Sequence, residues 1–145
     1  TVCVMRTSCH GAADPHLVNG VLTVIQTYSG TIIGGYVCVR AGQSGRNYRA
    51  GDGYLFRLAR DGMTEVRLDL DEAHNDKVMY YYVGDGPNFG YARQLYVEMA
   101  GGQVDIYPNG WRDGTSTFQA LGIDENNFLG KRRDAIVEME VFTPC

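Results

Sequence analysis

The stretch "TEVRLDLD" (Thr64 to Asp71) places Val66, Leu68 and Leu70 at every second position, between Glu65, Arg67, Asp69 and Asp71. Successive side chains of an extended chain point to opposite sides, so this pattern makes a strand with one apolar face and one charged face. "RQLYVEMA" repeats it with Leu95, Val97 and Met99. "DAIVEMEVFTP" repeats it with Val137, Met139 and Val141 against Glu138 and Glu140. Period two in several separated segments excludes a helical bundle and points to antiparallel sheet, in which one face packs and the other meets water.

Other segments lack clean alternation. "GVLTVIQTY", "GGYVCVR", "GYLFRLA" and "KVMYYYV" are apolar on both faces, as strands in central positions or under a covering loop are, and "QVDIYP" and "STFQAL" are weaker strand candidates. Glycine punctuates these runs at Ser29-Gly30, Gly34-Gly35, Asp61-Gly62, Gly84-Asp85-Gly86-Pro87, Gly101-Gly102 and Pro108-Asn109-Gly110. Such dipeptides reverse a strand because glycine reaches positive φ without steric cost. "DEAHND" is too short for a stable helix, and "GIDENNFLG" is long enough for one or two turns. The expected fold is therefore all-β: an antiparallel β-sandwich or partly closed β-barrel of about eight strands. With 145 residues and no repeat or linker, residues 1–145 are expected to form a single β domain.

The four cysteines are Cys3, Cys9, Cys38 and Cys145. None stands in a C-x-x-C pair, which argues against zinc and redox motifs. A cysteine near each chain end suits a clasp, so the expected pairs are Cys3 with Cys145 and Cys9 with Cys38. In the chain-entropy model such bridges stabilise by roughly 3–5 kcal/mol each. Bridges persist in oxidising compartments, and the chain begins at Thr1 without methionine, as after removal of a leader; the expected location is secreted, extracellular. The longest apolar run, Val78 to Val83, is too short to cross a bilayer, so no transmembrane segment is expected. The formal net charge of −4 argues against nucleic acid, whose binding requires a clustered positive field.

Two stretches carry chemistry. In "RLDLDEAHNDKVMYYYVGDG" the carboxylates Asp69, Asp71, Glu72 and Asp76 lie near His74 and Asn75. They lack the glycine and distal glutamate of a calcium loop, so they are expected to form a solvated turn with no metal bound. In "RAGQSGRNYRAGDGY" the guanidinium groups of Arg40, Arg46 and Arg49 share a glycine-rich loop with Tyr48. Arginine forks hold carboxylates and similar anions in fixed geometry, and long loops in compact domains often recognise partners. Among the aromatic residues, Trp111 follows a turn in "YPNGWRDG" and suits a surface contact. "GKRRD" at 130–134 reads as a solvated basic turn.

"IDENNFLG" resembles a late stretch of the small secreted fungal ribonucleases, which also place cysteines near both ends. That family requires a late histidine acid. The histidines here are His10, His16 and His74, with none beyond, so no ribonuclease activity is expected. G-x-S-x-G and H-E-x-x-H are also absent. The expectation is a secreted non-catalytic recognition protein, of effector, toxin or lectin type, binding a protein or glycan through Arg40, Arg46, Tyr48, Arg49 and Trp111, without cofactor. The alternative is a secreted hydrolase acting on a polymer, with Asp69, Asp71 or Glu72 as acid and base.

Overall fold

The computed structural model describes residues 3–4, 20–38, 47–48, 53–71, 78–80, 86–90, 93–110, 117–120 and 122–144, the backbone alone at 3–4, 47–48 and 143–144. In chain order the strands are β1 (Cys3–Val4), β2 (Gly20–Thr27), β3 (Ile32–Cys38), β4 (Asn47–Tyr48), β5 (Gly53–Arg57), β6 (Val66–Asp69), β7 (Met79–Tyr80), β8 (Asn88–Phe89), β9 (Leu95–Glu98), β10 (Gln103–Ile106) and β11 (Arg133–Pro144). One short helix, α1 (Glu125–Phe128), precedes β11.

Ten strands form one hydrogen-bonded path, β4-β7-β8-β9-β10-β11-β2-β3-β5-β6, and β1 pairs with β11 beside it. Every pairing is antiparallel except that of β1 with β11. The path is open, ending at β4 and β6. Eleven strands are described where about eight were expected. β1, β4, β7 and β8 have two residues each, too few to show a period in the sequence.

The long strand β11 joins the two halves of the path. Its first residues, Arg133 to Ala135, pair with β10, and Ile136 to Phe142 pair with β2. The register slips between Ile136 and Glu138, the mark of a β-bulge. A bulge kinks a strand and lets it pass from one sheet layer to another. It also resets the side-chain alternation: Ile136, Met139 and Val141 pack on the core, while Val137, expected on that same face, is 60% exposed. Met99 likewise leaves the apolar face of β9, because the strand ends at Glu98 and Met99 opens the turn to β10.

The two halves share one core. Ile25, Ile33, Val37, Leu55 and Leu68 come from β2, β3, β5 and β6, and Phe89, Leu95, Val97, Val104 and Ile106 come from β8, β9 and β10. Turns form at the expected Asp61-Gly62, where Arg60 and Met63 exchange backbone hydrogen bonds of 3.0 and 2.8 Å. Gly34-Gly35 does not turn. It lies inside β3, where the absence of side chains makes room for rings on both sides. A Cβ on Gly35 would stand 2.7 Å from the Phe89 ring in the core, and one on Gly34 would stand 2.6 Å from the Phe56 ring on the opposite face.

The open seam beyond β6 is held by a side chain. Leu70 bridges to Phe118, and Gln119 N–H donates to Asp69 O at 2.7 Å. Gln94, fully buried, then holds this segment against the other half. Its Nε2 donates to Pro108 O and Phe118 O at 2.7 and 2.8 Å, and its Oε1 accepts from the N–H groups of Thr117 and Phe118 at 2.9 and 2.8 Å. Both donors and both acceptor positions of the amide are used, which is what makes its burial tolerable.

"GIDENNFLG" does form a single helical turn, with Asp124 accepting from Asn127 N–H and the Asn127 side chain accepting from Asp124 N–H. Arg57, at the end of β5, donates to the carbonyls of Asn127 and Phe128 at the other end of α1 and to Thr64 O. Among the described residues, no helix is long and apolar enough to cross a membrane. The chain ends meet, since Cys3 lies opposite Thr143 and Val4 opposite Pro144. Of the expected bridge partners, Cys9 and Cys145 lie outside the described residues.

Candidate functional site

The outward side of β2, β3, β5 and β6 is not the polar surface that an exposed sheet face usually carries. Strand register lines its residues into two rows. The first runs Phe142, Leu22, Tyr36, Tyr54, Asp69, and the second runs Glu140, Val24, Gly34, Phe56, Arg67. Leu22, Val24, Tyr36, Tyr54 and Phe56 are each half-buried, whereas Arg67, Asp69 and Glu140 are exposed. An apolar centre is thus closed on the β6 side by a cation and an anion, and on the β11 side by an anion.

Cross-strand neighbours sit close enough for their side chains to interact directly. The rings of Tyr36 and Tyr54 have centroids 5.4 Å apart, and those of Tyr54 and Phe56 are 6.2 Å apart, both pairs tilted. The Arg67 guanidinium carbon lies 4.0 Å from the Tyr54 ring centroid, and Arg67 Nε donates to Asp69 Oδ1 at 2.6 Å. A cation over an exposed aromatic face contributes about 0.5–1 kcal/mol. The ion pair adds little, because its side chains are 57% and 62% exposed and water screens them.

Between these groups runs an open groove of about 450 Å³, lined by Leu22, Val24, Tyr54, Phe56, Leu58 and Arg67 among others. Leu58 is itself exposed. The groove lies along the sheet face and offers apolar contact, the Tyr54 ring and a charged border. Such a surface can bind; among the described residues that line it there is no serine, cysteine, histidine or lysine.

Of the expected site residues, the structure describes only the backbone of Tyr48. β3 and β5 are neighbours, so the loop from Arg40 to Gly53 does leave from and return to adjacent strands. It is not a simple hairpin loop, because its middle forms β4 and pairs with β7, at the far end of the path. Arg40, Arg46, Arg49 and Trp111 lie outside the described residues, and Tyr48 is placed by its backbone, opposite Met79. The C-terminal end of the loop, Gly53, leads directly into Tyr54 and the outer rows.

Of the acidic stretch, Asp69 is engaged with Arg67, the Asp71 N–H donates to Thr117 O at 2.8 Å, and Glu72, His74, Asn75 and Asp76 lie outside the described residues. Among the described residues, no group of three or more His, Cys, Asp or Glu side chains is arranged to hold a metal ion. The buried carboxylates serve the fold. Asp105 takes two hydrogen bonds from Arg133, at 2.6 and 3.0 Å. Asp134, 5% exposed, accepts from Ser29 N–H and Ala135 N–H at 3.2 and 2.9 Å. Burial alone would raise the Asp134 carboxyl, but the donors of Ser29, Thr27 and Ala135 outweigh it and hold the group below its ordinary value.

The outer rows carry no motif in the sequence. "GYLFRLA" is apolar on both faces, as a central strand or one under a covering loop is. The informative signal was the company of Arg67 and Asp69 on the next strand: the charges mark that face as solvent-facing, so Tyr54 and Phe56 opposite them must border water too. No family model matches the chain, and no curated protein matches it.

Proposed function

We propose that the chain is a secreted, non-catalytic recognition protein, of effector or toxin type, that binds a protein partner through the outer face of β2, β3, β5 and β6. The observation that carries this reading is the pair of cross-strand rows: half-buried Leu22, Val24, Tyr36, Tyr54 and Phe56, bordered by Arg67, Asp69 and Glu140. An apolar, tyrosine-rich centre with a charged rim is the usual anatomy of a protein interface. A protein is favoured over a glycan because sugars stack on open ring faces, and one face of Tyr54 is already covered by Arg67. Arg40, Arg46, Tyr48, Arg49 and Trp111 stay in the proposal as further candidate contacts, on the ground that the loop from Arg40 to Gly53 ends in β5.

Secretion rests on the cysteines. Cys38 is buried and is not a free thiol, which supports a bridge to Cys9, and the adjacency of the chain ends supports one between Cys3 and Cys145. The sandwich form is favoured over the barrel for the same open sheet, because the two halves face each other across one core. The carboxylate hydrolase has less support, since Asp69 is committed to Arg67.

The test is a panel of immobilised extracellular proteins and glycans, probed with the parent chain and with a Phe56→Ala/Arg67→Ala double variant shown by its melting curve to be fully folded at the assay temperature. The expected result is a protein binder whose affinity falls at least tenfold, about 1.4 kcal/mol, in the variant. Equal affinity of parent and variant for every binder, or binding to glycans alone, would show the reading wrong.

A further inference from the structure

β11 is the longest strand, at 12 residues, and the only described one that changes partners along its length. β2 follows one of its edges from Ile136 to Phe142. On the opposite edge β10 reaches only to Ala135, and the last bond there runs from Ile136 N–H to Gly102 O at 2.8 Å. Past the bulge β10 is gone, and among the described residues the next partner that β11 meets beside β2 is β1, at Thr143. Among the described residues, no strand pairs with the edge from Glu138 to Phe142 opposite β2. Five residues of extended chain span about 17 Å, the length of an ordinary strand.

We infer that this edge receives an extended peptide whose side chains alternate basic and apolar, adding a strand to the sheet. Backbone hydrogen bonding along an exposed edge supplies affinity in such complexes, and the side chains on either face supply selectivity. On the outer face the edge displays Glu138 and Glu140, both exposed, so the added strand needs cations at alternate positions. On the inner face it displays Met139 and Val141, which pack on the core yet stay only half-buried, so the residues between the cations need to be apolar. A second copy of the chain is the wrong occupant, because an antiparallel pair of these edges would set the two acidic rows against each other. The same acidic pair thereby guards the edge against self-association while leaving it open to a basic strand. This site touches the rim of the outer face at Glu140 but shares no residue with the groove lining over Tyr54 and Phe56, so Phe56→Ala and the edge variant separate the two.

The probe is a synthetic nine-residue peptide alternating arginine and valine, titrated into the full chain by fluorescence anisotropy with hydrogen exchange in parallel. Two control peptides keep its composition: one groups the arginines and valines in blocks, and one carries N-methyl groups on alternate amides along the bonding edge. The expected result is that the alternating peptide binds at least tenfold tighter than either control, and that exchange slows at Glu138 to Phe142. A Glu138→Lys/Glu140→Lys variant, checked for a parental melting curve, should lose at least tenfold in affinity, and Phe56→Ala should lose none. Equal binding of the N-methylated peptide would reduce the effect to bulk charge and overturn the inference. So would unchanged exchange at β11, no binding, loss of binding in Phe56→Ala, or slowed exchange at β11 that follows dimerisation of the chain alone.

Discussion

Leu55 and Phe56 are neighbours on β5 and belong to different surfaces. Leu55 points inward, is 1% exposed, and lies in a row with Thr23, Gly35 and Leu68 beneath the Phe89 ring. Phe56 points outward, lies over Gly34 and keeps contact with water. Both rows are apolar, and both use a glycine of β3 to seat a ring. They differ in closure. The inner row is covered from above by the other half of the path, whereas the outer row ends in Arg67 and Glu140 with an open groove beside it. Folding requires the first row. The second buries less than its side chains offer, and an apolar face left half-covered is the kind of surface that binds something.

The comparison can be broken most forcefully from the inside. Leu55→Ala should destabilise the protein by about 2–5 kcal/mol, the range for deleting a buried leucine side chain where the surroundings cannot collapse, as measured by urea unfolding. Phe56→Ala, one residue on, should cost only ~1–2 kcal/mol, because a half-covered ring has less surface to return to water. If the two losses were equal, the outer face would be a second core and the division drawn here would fail. Arg67→Ala should change stability by ~1 kcal/mol or less, the value of one exposed cation over a ring and a screened ion pair, while weakening partner binding with Phe56.

Acid probes the fold at a third place, away from both rows. Asp134 sits beside the β2–β3 turn with its folded pKa lowered, so its contribution is complete above the ordinary aspartate range near ~3.9 and is lost as pH falls through the lower folded value. Urea midpoints taken across that interval should fall for the parent and fall less for Asp134→Asn. Parallel slopes for both proteins would assign the acid sensitivity elsewhere.

Much of the fold was legible because it rests on local rules. Val66, Leu68 and Leu70 alternate with charges, and β6 lies with Leu68 buried and Arg67 and Asp69 out. Asp61-Gly62 makes the turn that its dipeptide encodes. What was not legible depended on neighbours in space. Gly34-Gly35 has the composition of a turn, and only the rings of Phe56 and Phe89 arriving from other strands explain why it stays extended. Gln94 reads as a surface residue, and only the carbonyls and N–H groups of Pro108, Thr117 and Phe118 make it an interior one. The candidate site divided in the same way: a residue such as Arg67 could be placed on the solvent face from its alternation, but the ring beneath it belongs to a different strand.

By itself, then, the amino-acid sequence determined the class of structure and the direction of most strand side chains, because backbone pleating and glycine's access to positive φ act over two to four residues. Tertiary structure alone decided which strands became neighbours, where the bulge in β11 turned Val137 outward, and which of two equally apolar faces was covered. The physical reason is that burial is a property of pairs of surfaces. Period two sorts residues onto two faces, and only the partner that packs against one of them makes that face the core and leaves the other at the solvent.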